Sequence, residues 1–343
     1  MSVSFVTDLF FVNLLIFIIG SCILIKGSDL FVDAAAAIAR YWHVSELVIG
    51  LTLVSIGTSI PEFATSIFAQ MTNGDSDFVI GNVAGSNVTN ITLILGVALA
   101  LGGTISFSKQ LFTRDVVFMN GLFLVTVLLF LAGPSVAAQT GSGTVPGLHW
   151  IFGLLFLAGT FVYSWLLFKA PDGSQPEADD TDADPGSVSL VREFAILICG
   201  LVMIAAGSKA MVDTVQWGAA QLGISTLIIS ATIVAFGTSV PELAVTVAGI
   251  LKKKADMAIG NIVGSCIFNI LLIFGAAAVI RPLGINSGAG GITTLVLMIP
   301  SGLLLLLFMG LGRKTMTIGR LAGFIFLLLY AGFLGFNVWT AMD

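Results

Sequence analysis

Charge is what this sequence has least of. Only 10% of its 343 residues are Asp, Glu, Lys or Arg, while 57% are hydrophobic. Soluble domains carry roughly 25% charged residues, so a water-exposed globular surface is excluded and an integral membrane protein is implied. The net charge of −5 says little about partners, because six of the nineteen acids fall in one short loop. Cysteine is scarce as well. Cys22, Cys199 and Cys266 are odd in number, lie in apolar segments and read as buried free thiols, which leaves no disulfide framework. Histidine occurs only at His43 and His149, so no Cys/His cluster exists for a transition metal. A GxxxxGK[ST] phosphate loop is missing, which argues against ATP drive; no nucleotide, nucleic acid or cofactor is expected. The first eight residues contain no Lys or Arg, unlike a cleaved signal peptide.

Long apolar runs are what is there. A spanning helix needs about 20 apolar residues. Ten candidate spans follow, at roughly 9–26, 46–69, 78–101, 115–132, 148–168, 191–207, 224–250, 256–280, 291–311 and 318–340. Such runs fit helices; a barrel would show short alternating strands. The expected fold class is therefore an all-α membrane protein of ten transmembrane helices. Residues 169–190, rich in Pro, Gly, Asp and Ser, read as a linker between halves 1–168 and 191–343. Its acids lack the spacing and turn glycine of an EF-hand loop, so a solvated tether is expected.

Lys and Arg positions set the orientation. With the N-terminus outside, twelve of the fourteen fall in inside loops, leaving only Lys209 and Arg281 outside. The positive-inside rule then puts both termini outside, the linker in the cytoplasm and the protein in a plasma or inner membrane. Lys252, Lys253 and Lys254 are expected to mark the cytoplasmic lipid surface.

The chain repeats itself. GSDLFVD at 27–33 is echoed by GSKAMVD at 207–213. IGLTLVSIGTSIPE at 49–62 is echoed by ISATIVAFGTSVPE at 229–242, with eight of fourteen residues identical. GNVAGSNVTN at 81–90 is echoed by GNIVGSCIFN at 260–269, with five of ten identical. Five spans per half is an odd number, so the halves would enter the membrane from opposite sides. That is an inverted repeat, the architecture of many alternating-access transporters. The plain alternative, a duplication kept for packing, does not require repeated carboxylates.

Glu62 and Glu242 are the acids expected near mid-membrane, where an ionisable group costs about 3 kcal/mol and is by default functional. Pro61 and Pro241 precede them and have no N–H, so the carbonyls of Gly57 and Gly237 lose helical partners. Each GTS[IV]PE segment thus combines carboxylate, hydroxyl and loosened backbone oxygens. Those are hard ligands, suited to Ca²⁺ or Na⁺. Asn82, Ser86 and Asn90 recur four apart and form one polar stripe; Asn261, Ser265 and Asn269 repeat it. Gly81 with Gly85, and Gly260 with Gly264, make GxxxG pairs that admit close helix approach. The stripes also suit interhelical hydrogen bonding alone.

These paired motifs, α1 within 49–90 and α2 within 229–269, resemble the two α-repeats of the cation/Ca²⁺ antiporters, in particular the prokaryotic sodium/calcium exchangers. The resemblance covers nearly the whole chain. It implies central ligands Glu62, Glu242, Asn90 and Asn269. It implies further hydroxyl or backbone oxygen donors at Ser55, Thr58, Ser59, Ala235, Thr238 and Ser239, and sodium-site serines at Ser86 and Ser265. It also implies that sliding of the first spans of each half switches access. Two departures stand out: some relatives carry Asp where this chain has Asn269, and Cys266 stands where its counterpart is Asn87.

The expected function is antiport of Ca²⁺ against Na⁺, with no enzymatic step. Proton/Ca²⁺ exchange or K⁺-dependent exchange on the same scaffold is the nearest alternative. An intramembrane serine hydrolase would need a base beside its nucleophile, and no mid-membrane His offers one. A passive channel fits two inverted, broken helices less well.

Overall fold

A computed structural model describes residues 9–42, 44–72, 74, 76–137, 143–169, 189–221, 235–285 and 289–340. The helices are α1 (Phe10–Trp42), α2 (Glu46–Thr58), α3 (Ile60–Thr72), α4 (Ser76–Gly102), α5 (Leu111–Ala132) and α6 (Trp150–Lys169) in the first half. The second half contributes α7 (Leu190–Gln221), α8 (Ala235–Thr238), α9 (Val240–Leu251), α10 (Ala255–Ile280), α11 (Ala289–Leu311) and α12 (Arg320–Thr340). Seven of these are long and apolar enough to cross a membrane, or eight if the bent pair α2–α3 is one span. The apolar parts of α9 and α12 are shorter. The linker and the stretch 222–234, which includes the first part of the expected span 224–250, lie outside the described residues.

Short strand pairs tie loops together. Ile105–Ser106 (β1) pairs antiparallel with Thr317–Ile318 (β6). Val136–Ala137 (β2) pairs with Thr144–Val145 (β3), and Gly147–Leu148 (β4) with Leu283–Gly284 (β5). The first and last of these join the two halves of the chain.

Two helices exceed their expected bounds. The candidates 9–26 and 191–207 are the opening parts of α1, 33 residues, and α7, 32 residues. The GSDLFVD and GSKAMVD segments are therefore helical rather than loop. The reason is visible in residues 34–39: this alanine-rich run has strong helix propensity, no proline, and is buried against protein. It needs no bulky apolar residues because it does not face lipid. At 1.5 Å per residue α1 is about 50 Å long, well beyond the hydrocarbon core.

The two long helices cross through glycines. Gly20 faces Gly207, and Gly27 faces Gly200; a Cβ at Gly27 would lie 2.7 Å from Cβ of Met203 and 3.0 Å from the Gly200 carbonyl oxygen. The contacts interchange under the 180-residue repeat, as an isologous interface requires. This pair shares a core with α2 and α9, built on Phe31, Ile38, Ile49, Val54, Ile204 and Val245. A separate, larger core joins α4, α5, α6, α10, α11 and α12. Helices α4 and α10 are the most enclosed spans, with 83% of their apolar windows buried. The middle of the molecule is therefore where these two meet the broken helices.

Some expectations are corrected. Cys266 is buried, but Cys22 and Cys199 are exposed on the outward faces of α1 and α7, since apolar residues cover a lipid-facing surface as readily as a core. Lys252 and Lys254 do not simply face lipid. Lys252 Nζ lies 2.7 Å from Asp33 and 3.5 Å from Asp29 on α1, and Lys254 Nζ lies 2.7 Å from Glu46 on α2. The intervening Lys253 has φ +60°. The N–H of Lys254 reaches the Gly249 carbonyl at 2.8 Å and that of Lys253 reaches Ile250 at 3.0 Å, closing α9 with a Schellman turn. Glycine is the usual residue there because a Cβ costs about 1 kcal/mol or more in the left-handed region. Lys253→Gly is thus expected to raise the thermal unfolding midpoint in detergent. A lower midpoint would contradict this account of the turn.

One buried carboxylate escaped sequence reasoning. Asp115 is fully buried at the start of α5, where Arg114 pairs with it at 2.9 Å and the Tyr163 hydroxyl donates to it at 3.0 Å. Its sequence position at a span edge gave no sign of these partners.

Candidate functional site

Each Glu-bearing segment breaks just before its proline. α2 stops at Thr58, Ser59 adopts φ −84° and ψ 7°, and α3 leaves at an angle of 46°. In the second half α8 stops at Thr238 and Ser239 adopts φ −92° and ψ 5°, with Pro241 in the first turn of α9. The hinge residue is thus the serine, flanked by Gly57 and Pro61 or by Gly237 and Pro241. The proline cannot continue the hydrogen-bond ladder, and it fits the first turn of a new helix. Glu62 and Glu242 then fall in the first turn of α3 and α9.

Both carboxylates are 1% exposed, and the halves clasp them reciprocally. The Ser59 hydroxyl donates to Glu242 Oε1 at 3.0 Å, and the Ser239 hydroxyl donates to Glu62 Oε1 at 3.4 Å. The hydroxyls of Thr58 and Thr238 also lie against Glu242 and Glu62, respectively. Each acid therefore takes its hydroxyl partners from the opposite half, which draws the two side chains to one place. Neither points into lipid.

Asn90 and Asn269 stand on the crossing helices α4 and α10, and each opens a π-helical stretch, Asn90–Ile94 and Asn269–Phe274. Such wide turns insert a residue and re-aim side chains, and they recur at functional sites. Sequence periodicity gave no sign of them.

Unpaired buried atoms fall on the same residues. Among the described residues, eight buried side-chain oxygens have no hydrogen-bond partner. Four belong to Glu62, Glu242, Asn90 and Asn269, and a fifth is the hydroxyl of Ser265. A buried polar atom without a partner costs about 1–3 kcal/mol, so each of these demands an explanation. No group of three or more His, Cys, Asp or Glu side chains placed to hold a metal ion occurs among the described residues. The donor set is two carboxylates with neutral oxygens, hard in character.

Other expected residues divide. Ser86 stands beside this clasp, its hydroxyl oxygen 3.4 Å from that of Ser239. Ser55 is buried, but its hydroxyl bonds back to the carbonyls of Leu51 at 2.9 Å and Thr52 at 3.1 Å. Thr58 also donates to Asn261 Oδ1 at 3.1 Å. Ala235 begins α8; its side chain is outside the described set. The outer members of the polar stripes are interhelical ties. Asn82 donates to Ser66 at 2.9 Å and to the Glu62 carbonyl at 3.3 Å. Asn261 donates to Thr246 at 3.1 Å. Ser66 and Thr246, four residues beyond each Glu, were missed by sequence reasoning, although both carry the hydroxyl at the same repeat position. Gly260 and Gly264 do admit close approach, by Leu47, Leu51 and Ser55 of α2. No described atom lies within 4 Å of a Cβ built at Gly81 or Gly85.

A family model for the sodium/calcium exchanger protein matches residues 12–169 and 192–339. The chain belongs to that family. It is 37% identical over 319 residues to the putative antiporter CaxA of Alkalimonas amylolytica, covering 92% of this chain and 95% of that one. It is 36% identical over 348 residues to sodium/calcium exchanger MaX1 of Methanosarcina acetivorans, covering 94% and 97%. Among solved structures, the sodium-calcium exchanger NCX_Mj, soaked with Na⁺ and Ca²⁺, superposes with a TM-score of 0.74 at 30% identity, covering 93% of this chain and 96% of that one. This member of the family is accordingly a multi-pass membrane transporter and not an enzyme.

Proposed function

We propose that the protein exchanges Ca²⁺ for Na⁺ by alternating access at the centre formed by Glu62, Glu242, Asn90 and Asn269. The observation that carries the reading is the set of unpaired buried oxygens on those four residues. Two ionised carboxylates neutralise one Ca²⁺ in a low-dielectric site, or face Na⁺ ions instead. Leaving them empty is costly, which favours obligatory exchange over leak. Ser59, Ser86, Ser239 and Ser265, with Ser55, Thr58, Thr238 and the Ala235 carbonyl, serve as the surrounding donors, mainly to Na⁺. Relatives named as sodium/calcium exchangers support the choice of ions.

The architecture we infer is ten spans in two inverted five-helix repeats, 1–168 and 191–343, with both termini extracytoplasmic and the linker 169–190 cytoplasmic, in a plasma or inner membrane. Support comes from the family match falling on either side of the linker and from the reciprocal Glu–Ser contacts. The α1–α7 pair, packed on α2 and α9 apart from the larger core, is the element that slides to switch access.

The test is uptake of radiolabelled Ca²⁺ into proteoliposomes under separately imposed Na⁺, K⁺ and H⁺ gradients. Outward-directed Na⁺ alone is expected to drive accumulation. Uptake driven only by a proton gradient, or by none of the three, would sink the reading.

A further inference from the structure

Asn269 offers its two amide atoms to different neighbours. Its Nδ2 donates to Oδ1 of Asn87 at 3.0 Å, and its own Oδ1 is buried without a partner among the described residues. Asn87 is fully buried on α4, and its Nδ2 donates to the sulfur of Met298 on α11 at 3.4 Å. A thioether sulfur can accept but never donate. That fixes Asn87 with its nitrogen toward Met298 and its oxygen toward Asn269. The oxygen of Asn87 can only accept, so the nitrogen of Asn269 must turn to it. The oxygen of Asn269 is left on the other side of the amide. If Asn87 were reversed, two NH₂ groups would face each other, and relieving that clash would turn the NH₂ of Asn269 inward, where it repels a cation.

We propose that Met298 and Asn87 are positioning residues, an orienting relay that presents the amide oxygen of Asn269, and not its nitrogen, to the transported cation. The inference rests on the exchange reading above and deepens it. The relay exists in one half only. At the place equivalent to Asn87 the other repeat has Cys266, whose thiol lies 3.9 Å from the Asn87 carbonyl and beside Asn90. A weak S–H donor there cannot impose the same order on Asn90. The two amide ligands are thus held by unequal means, although the motifs that carry them repeat.

The experiment is Ca²⁺ titration calorimetry on the purified full-length protein, with KM and maximal rate of uptake measured beside it. Met298→Leu keeps the size of the side chain and removes the acceptor; Asn87→Leu removes the relay outright. Each is made alone and combined with Asn269→Asp, whose two equivalent oxygens make orientation immaterial. The loss of one orienting hydrogen bond is expected to weaken Ca²⁺ binding by about threefold to tenfold, raising KM with little change in maximal rate. In the Asn269→Asp background the Met298→Leu penalty is expected to vanish. Unchanged affinity in Met298→Leu, or an equal loss in both backgrounds, would overturn the relay in favour of mere packing. Should Met298→Leu not fold, Asn87→Asp carries the test. Its carboxylate accepts from Asn269 without help from Met298, so affinity is retained, and a loss would overturn the proposal. Absence of any Ca²⁺ heat in the unsubstituted protein defeats the exchange reading and this inference together; heat in it but no effect of the relay variants defeats the inference alone.

Discussion

Replacing either Glu62 or Glu242 with alanine is expected to abolish sodium-driven Ca²⁺ uptake, and the glutamine variants are expected to do nearly as badly. The glutamine result matters because it keeps the shape and the Ser59 or Ser239 contact while deleting the charge. In an enclosed site a divalent cation needs both carboxylates. Removing one partner of a buried ionic cluster costs about 3–5 kcal/mol, which corresponds to roughly two to four orders of magnitude in affinity. Because the hydroxyl donors come from opposite halves, the two single losses should be equally severe. Uptake within about twofold of the unsubstituted rate in either glutamine variant would remove the carboxylates from the transport mechanism. A sharp difference between the two would argue against a shared central ion.

The second large effect is expected at Gly264. A Cβ there would lie 2.6 Å from the Ser55 hydroxyl, 2.7 Å from the Leu51 carbonyl oxygen and 2.9 Å from the Leu51 Cα. Two of these are backbone atoms of α2 and cannot swing aside. Gly264→Val must therefore push α10 away from α2, carrying Asn269 from the centre and disturbing the helix that leads to Ser59. Overpacking of this kind costs about 1–3 kcal/mol in a core, and the displacement of ligands adds to it. Loss of transport together with a lowered unfolding midpoint is the expected result. The comparison variant is Gly121→Ala on the exposed face of α5, where nothing lies within 4 Å and little change is expected. If Gly264→Val transports normally, the close crossing of α2 and α10 is not what holds the site.

Much of the site was legible in the sequence because its signals are local. A carboxylate after a proline in an apolar run needs a reason wherever it is found, and finding it twice locates the centre. The polar stripes could be read from helical period alone, and Asn90 and Asn269 at their ends both carry a buried, unpaired oxygen. Helix content followed from apolar run length. The same reasoning cut α1 and α7 short, because the buried alanine-rich run of α1 and the stretch of α7 that carries Lys209, Asp213 and Gln216 lack the hydrophobic weight that run length measures.

By itself the sequence determined which residues are polar in oily surroundings, which positions repeat, and that the chain is helical and membrane-embedded. Only the tertiary structure decided who meets whom. Ser59 serves Glu242 rather than its neighbour Glu62, Asn87 orients Asn269, Gly27 seats Gly200, and Lys252 reaches back to Asp33. The physical reason is that periodicity fixes the face of a helix on which a side chain stands. The partner on that face depends on how helices from distant parts of the chain cross, and that is settled by packing whole surfaces at once.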